Sequence, residues 1–123
     1  MRASALIAVV SLLGVSLAGA QSATGMKAEK EKLLKLEKTY KSAKAAYLKS
    51  PKNAKLKAAY VDATVKFGTG TMLSPTLGPK DKYPKALKLY REALKLDPKN
   101  KEALQNKKMI EDIYRQMGRP IPA

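Results

Sequence analysis

The stretch from Tyr83 to Pro98 limits what this chain can fold into more than any other. At about 100° per residue, Tyr83, Ala86, Leu87, Leu89, Tyr90, Ala93, Leu94 and Leu96 fall on one half of a helical wheel. Lys85, Lys88, Arg91, Glu92 and Lys95 fall on the other half. Pro84 suits a first helical turn, where its missing N–H costs little. Pro98 cannot be continued through, and it disfavours helical geometry at Asp97. The pattern predicts an amphipathic helix with a marked start and stop. Its apolar half needs other helices to cover it.

Three further helical stretches supply that cover. From Lys27 to about Lys49, Leu33, Leu36, Tyr40, Ala43 and Tyr47 recur at steps of three and four, the spacing of a buried seam. Glu31 with Lys35, and Glu37 with Lys41, stand four apart in the favourable order. Ser50-Pro51-Lys52-Asn53 breaks this helix, and Asn53 is placed to cap the next. From Ala54 to Phe67 the apolar set is Leu56, Ala59, Tyr60, Ala63 and Phe67, and Gly68 and Gly70 are read as its stop. A last helix runs from about Lys101 to Met117, with Ala103, Leu104, Ile110, Ile113, Tyr114 and Met117 on its apolar side and Gly118 at its end. Residues 118–123 read as an extended tail.

Residues 68–82 stand apart. Three Gly and two Pro argue against regular structure there, yet Met72, Leu73 and Leu77 make it apolar for a loop. It reads as a loop insertion that offers Met72, Leu73 and Leu77 to a partner. A phosphate-binding loop is not indicated, since the Gly spacing does not match GxxxxGK[ST] and no strand precedes it.

The amino terminus reads as a secretory signal peptide over residues 1–20. Arg2 gives a positive start, Leu6 to Val15 an apolar run, and Ala18-Gly19-Ala20 a small-x-small site, with cleavage between Ala20 and Gln21. Retention as a membrane anchor is the alternative, though the apolar run is short against the roughly 20 residues of a span. The expected location is a periplasm, cell envelope or the exterior. Residues 21–26 read as a flexible lead-in to the helical domain of residues 27–117.

Composition narrows the chemistry. The chain has no Cys and no His, so thiol catalysis, disulfides, thiolate metal sites and the commonest general base are all absent. Its carboxylates show no HExxH or EF-hand spacing, and the adjacent Glu111 and Asp112 point to different sides of a helix. No enzymatic activity, metal or cofactor is expected. Net charge is +15, and Arg2 is the only charge in the leader, so the processed chain carries +14. Lys greatly outnumbers Arg, which favours a solvated surface over bidentate phosphate recognition.

One local pattern resembles a known family. Ala86, Tyr90, Ala93 and Pro98 stand at spacings of four, three and five, as do the small, aromatic, small and proline positions in the second helix of a tetratricopeptide repeat. The Lys-Leu-Asp-Pro-Lys-Asn run of residues 95–100 also resembles the passage between such repeats. The resemblance covers residues 83–104 and lapses elsewhere. Lys57, Tyr60 and Val61 stand where the first helix of the repeat has its Trp/Leu/Gly pattern, and Lys107 and Lys108 occupy the corresponding places in the last helix. The resemblance implies an all-α fold, a small right-handed stack of about four antiparallel helices. A generic four-helix bundle satisfies the same periodicities.

Three functions fit these readings: a protein–protein interaction scaffold of the cell envelope holding an unidentified protein or peptide; a basic protein held by charge to an anionic polymer or lipid surface; and an assembly subunit docked through the 68–82 loop. Intracellular nucleic acid is an unexpected partner for an exported chain. Tyr40, Tyr47 and Tyr60 lie on apolar stripes and read as core.

Overall fold

The fold is seen in a computed structural model, which describes the backbone of residues 4–123 and the side chains of residues 24–123. Arg2 lies outside the described residues, and so do the side chains of Ala20 and Gln21 at the expected cleavage site. The architecture is all-α. Four helices follow one another: α1 (Ser4–Lys49), α2 (Ala54–Met72), α3 (Pro79–Leu96) and α4 (Lys101–Gln116). Among the described residues there is no strand.

Ser50-Pro51-Lys52-Asn53 and Asp97-Pro98-Lys99-Asn100 form one turn used twice. At the first, Asn53 N–H donates to Ser50 O at 3.0 Å, and the Asn53 side chain accepts from Leu56 N–H at 3.1 Å. At the second, Asn100 N–H donates to Asp97 O at 3.2 Å, and the Asn100 side chain accepts from Ala103 N–H at 3.0 Å. Their backbones agree, with φ/ψ of −80°/113° at Asn53 and −63°/112° at Asn100. In both, a proline ends one helix and an asparagine satisfies an orphan N–H of the next. Gly118, at φ 65°, closes α4 in the left-handed conformation that favours glycine.

Two boundaries differ from expectation. Residues 21–26 are helical and continuous with α1, with no proline to interrupt them. The irregular segment shrinks from 68–82 to 73–78, since α2 runs through both glycines to Met72 and α3 starts at Pro79. The reason is close packing. A Cβ on Gly68 would lie 2.9 Å from the Tyr90 ring of α3, and one on Gly70 would lie 2.4 Å from Leu36 Cδ1 of α1. Two residues apart on a helix, these glycines face nearly opposite ways. Each lets one neighbour approach. Pro79 takes the tolerated first-turn position, which places Pro84 inside α3.

The centre of the fold is α2, whose backbone packs on those of α1, α3 and α4, whereas the α3 backbone packs only on α2 and α4. The strongly amphipathic 83–98 helix is therefore one wall of the structure. A helix covered on several sides is buried nearly all round, as at Tyr60, Val61, Ala63, Thr64, Val65 and Phe67, and loses the two-sided pattern that marks a surface helix. The core joins Val61, Val65 and Met72 of α2 to Ala86, Leu87, Tyr90 and Ala93 of α3 and to Ala103 and Ile110 of α4. The tail folds back, and Ile121 packs against this cluster. Helix α1 has no fully buried side chain among its described residues. It docks through the predicted seam of Leu33, Leu36, Tyr40, Ala43 and Tyr47, each half-buried.

Candidate interaction groove

The residues that carry the tetratricopeptide resemblance sit inside. Ala86 and Tyr90 are fully buried, Ala93 nearly so, and Pro98 is exposed in the α3–α4 joint. The Tyr90 hydroxyl anchors a polar chain between three helices. It lies 2.8 Å from Thr69 Oγ1 and accepts from Asn106 Nδ2 at 3.1 Å. Thr69 Oγ1 donates to Glu102 Oε1 at 3.1 Å, so its one proton is used there and Tyr90 donates to Thr69. Burial raises the Tyr90 hydroxyl above the usual phenol range, and the Asn106 amide that donates to it offsets part of that.

A second cluster pins α1. Glu92, on α3, accepts from Tyr40 Oη at 2.9 and 2.7 Å, and its Oε2 also accepts from Tyr60 Oη of α2. Lys44 Nζ stands 3.5 Å from the same carboxylate. Aromatic rings pack beside it, with centroids 5.3 Å apart for Tyr47 and Tyr60 and 5.4 Å for Tyr40 and Phe67. Tyr60 is core, as the sequence predicts, while Tyr40 and Tyr47 are half-buried. Burial, then the hydrogen bond to Glu92 and its charge, hold the Tyr40 and Tyr60 hydroxyls well above the phenol range. Both clusters join helices, and both leave their polar groups already satisfied by one another.

The three loop residues expected to meet a partner do not share a surface. Met72 ends α2 in the core, with its sulfur 4.0 Å from the Tyr90 hydroxyl. Leu73 is 69% exposed, and Leu77 is half-buried beside Leu33 and Leu34 of α1. The division follows from α2 persisting to Met72, which turns that side chain inward and the next one out.

The open surface of interest is a groove along the α1–α2 seam, with a volume of about 710 Å³. Ala28, Leu36, Thr39 and Ala43 of α1 and Ala59 and Ala63 of α2 line it together with the charged Glu31, Lys32, Lys35, Asp62 and Lys66. It adjoins a hollow of about 250 Å³ that shares Lys32, Leu36 and Lys66 and ends at Glu29, Leu73 and Glu102. From Ala28 to Ala43 the groove runs about 22 Å at 1.5 Å per residue. Small side chains on both helices leave it open, and Leu or Ile at Ala43, Ala59 or Ala63 would fill it. Sequence reasoning placed Ala43, Ala59 and Ala63 on buried stripes, and Ala59 is exposed. A small residue on a stripe reads the same whether its neighbour fills the space or leaves it hollow. The one available signal was the clustering of alanine at corresponding heights of both helices.

The charge of this groove is unlike the rest of the surface. Glu31 and Asp62 in the groove and Glu29 and Glu102 in the adjoining hollow, four of the chain's ten Asp and Glu, stand among only three lysines. Asp62 and Lys66 pair across one turn at 2.9 Å, whereas Glu31 and Lys35 form no ion pair. Small and apolar side chains beside charges of both signs suit a polypeptide better than a polyanion. Among the described residues no group of carboxylates is arranged to hold a metal ion. No protein family, curated protein or solved structure matches the chain.

Proposed function

We propose that this protein is an exported, non-enzymatic interaction module of the cell envelope, and that it seats a helical segment of a partner protein in the α1–α2 groove. The observation that carries this reading is the groove itself, long enough for four helical turns and lined by small and apolar side chains beside charges of both signs. Small residues let a guest backbone approach closely. Mixed charges select its register and orientation.

The same reading makes α2 and α3 one tetratricopeptide-like hairpin, with α1 and α4 as halves of its neighbours. Its support is the burial of Ala86, Tyr90 and Ala93, the repeated proline–asparagine joint, and the packing of α2 on α4 as well as α3. Stacks of this kind generally offer a surface to another chain. Export rests on the leader pattern of residues 1–20.

A photo-crosslinking residue at Thr39 or Ala59 tests the groove. In an envelope extract it should trap a polypeptide, and with the crosslinker at Thr39 the change Ala59→Trp, at an exposed groove position, should abolish the trapping while leaving the unfolding midpoint unchanged. Equal trapping from Lys108, on α4, would sink the reading. Mass measurement of the protein recovered from that extract tests export: a chain starting at Gln21 is expected.

A further inference from the structure

Helix α1 has a third face, turned away from the α2 seam and bordered at Lys30 and Leu34 by Leu77 of the 73–78 segment. Lys27, Lys30, Leu34, Lys38, Lys41 and Leu48 follow one another at steps of three, four or, at the last, seven, and form one stripe about 31 Å long. It lies on the opposite side of α1 from Leu36 and Ala43. All six are exposed, and the two leucines are exposed to 64% and 63%. Lys49 extends the stripe at its end. Two carboxylates lie near it: Glu37, paired with Lys41 at 3.2 Å, and Glu31, which lines the groove.

We propose that this outer face of α1 docks on an anionic lipid bilayer, its lysines against the headgroups and Leu34 and Leu48 reaching the acyl boundary. The charge is complementary, and lysines spaced along a helix on one side are what a negatively charged plane attracts. The leucines decide between a bilayer and a soluble polyanion. A phosphate polymer offers nothing apolar for side chains that stand well over half exposed, whereas the interface beneath the headgroups does. A lysine stripe also repels its own copy, so a second molecule of this chain is not the occupant. Docking by this face leaves the groove open, and the proposal does not depend on what the groove holds.

Sedimentation of the full chain with lipid vesicles tests it. Binding is expected to vesicles of phosphatidylcholine with about a third phosphatidylglycerol, and little to phosphatidylcholine alone. At 1 M salt, where the Debye length falls to about 3 Å, most of it should be lost. Lys30→Glu with Lys38→Glu and Lys49→Glu should lower the partition coefficient at least a hundredfold, from roughly fivefold for each lysine removed. Lys88→Glu with Lys95→Glu and Lys99→Glu, an equal change of charge on α3 and its joint, should lower it less than tenfold. Circular dichroism checks that both triple variants stay helical. Leu34→Trp should show a blue-shifted emission on the anionic vesicles. Equal binding to neutral vesicles would overturn the proposal, because insertion of the leader would then explain it. So would equal losses from the two triple variants, an unshifted tryptophan, or soluble polyphosphate that binds the parent and releases it from vesicles completely.

Discussion

Replacing Glu92 by Gln should loosen the first helix from the rest of the protein. The backbones of α1 and α3 do not pack on each other, so the Glu92 carboxylate is the principal link between them. Its side chain is 23% exposed and takes two tyrosine hydroxyls, from α1 and α2. Hydrogen bonds to a charged group contribute about 1.5–3 kcal/mol each. A glutamine of the same size keeps one neutral acceptor and turns an NH₂ group toward the other hydroxyl. Losing one charge-assisted bond and weakening the other, with some rehydration, costs about 2–3 kcal/mol. Lys44, at 3.5 Å and 41% exposed, adds little. For a domain of this size the loss corresponds to a fall in Tm of roughly 10–20 °C. Urea denaturation by circular dichroism reads the total. Amide exchange reads its location, with protection falling in residues 30–49 and holding in α3 and α4. In a cycle with Tyr60→Phe, the double variant should be less destabilised than the sum of the singles. A Gln variant within about 0.5 kcal/mol of the parent would refute the clamp, since that is the usual range for surface substitutions.

The raised tyrosine hydroxyls give the fold an alkaline limit. Tyr40, Tyr60 and Tyr90 bind their protons more tightly folded than unfolded, so their contribution is fully present below the ordinary phenol value of 10.0 and is lost as pH rises through the folded values. The urea midpoint should fall above pH 10, and in Tyr60→Phe it should fall less steeply. Gly68→Ala meets the buried, hydrogen-bonded Tyr90 ring, and the overpacking of about 1–3 kcal/mol should exceed the helix-propensity gain of about 1 kcal/mol. Gly70→Ala meets the end of the half-buried Leu36, which can turn aside, so the two variants should differ clearly in thermal unfolding. Asn53→Ala and Asn100→Ala each remove one helix cap and should each cost about 1 kcal/mol in urea titrations.

Local chemistry made much of this protein readable in advance. Proline placement and the Asn caps mark the helix joints, the period of apolar residues marks the seams of α1 and α3, and the absence of Cys and His narrows the chemistry, all without reference to anything distant in the chain. Those features depend on neighbours within a helical turn. The glycines of α2 were misread because a stop and a close approach call for the same residue, and only Tyr90 and Leu36 on other helices tell them apart. Met72 went astray with them. The centrality of α2, the meeting of Tyr40 and Tyr60 at Glu92, and the hollow beside the alanines of α1 and α2 likewise depend on how far apart helices come to rest. Spacing along one helix says which side chains share a face. It does not say how near the opposing face stands, and that distance separates a filled seam from a groove.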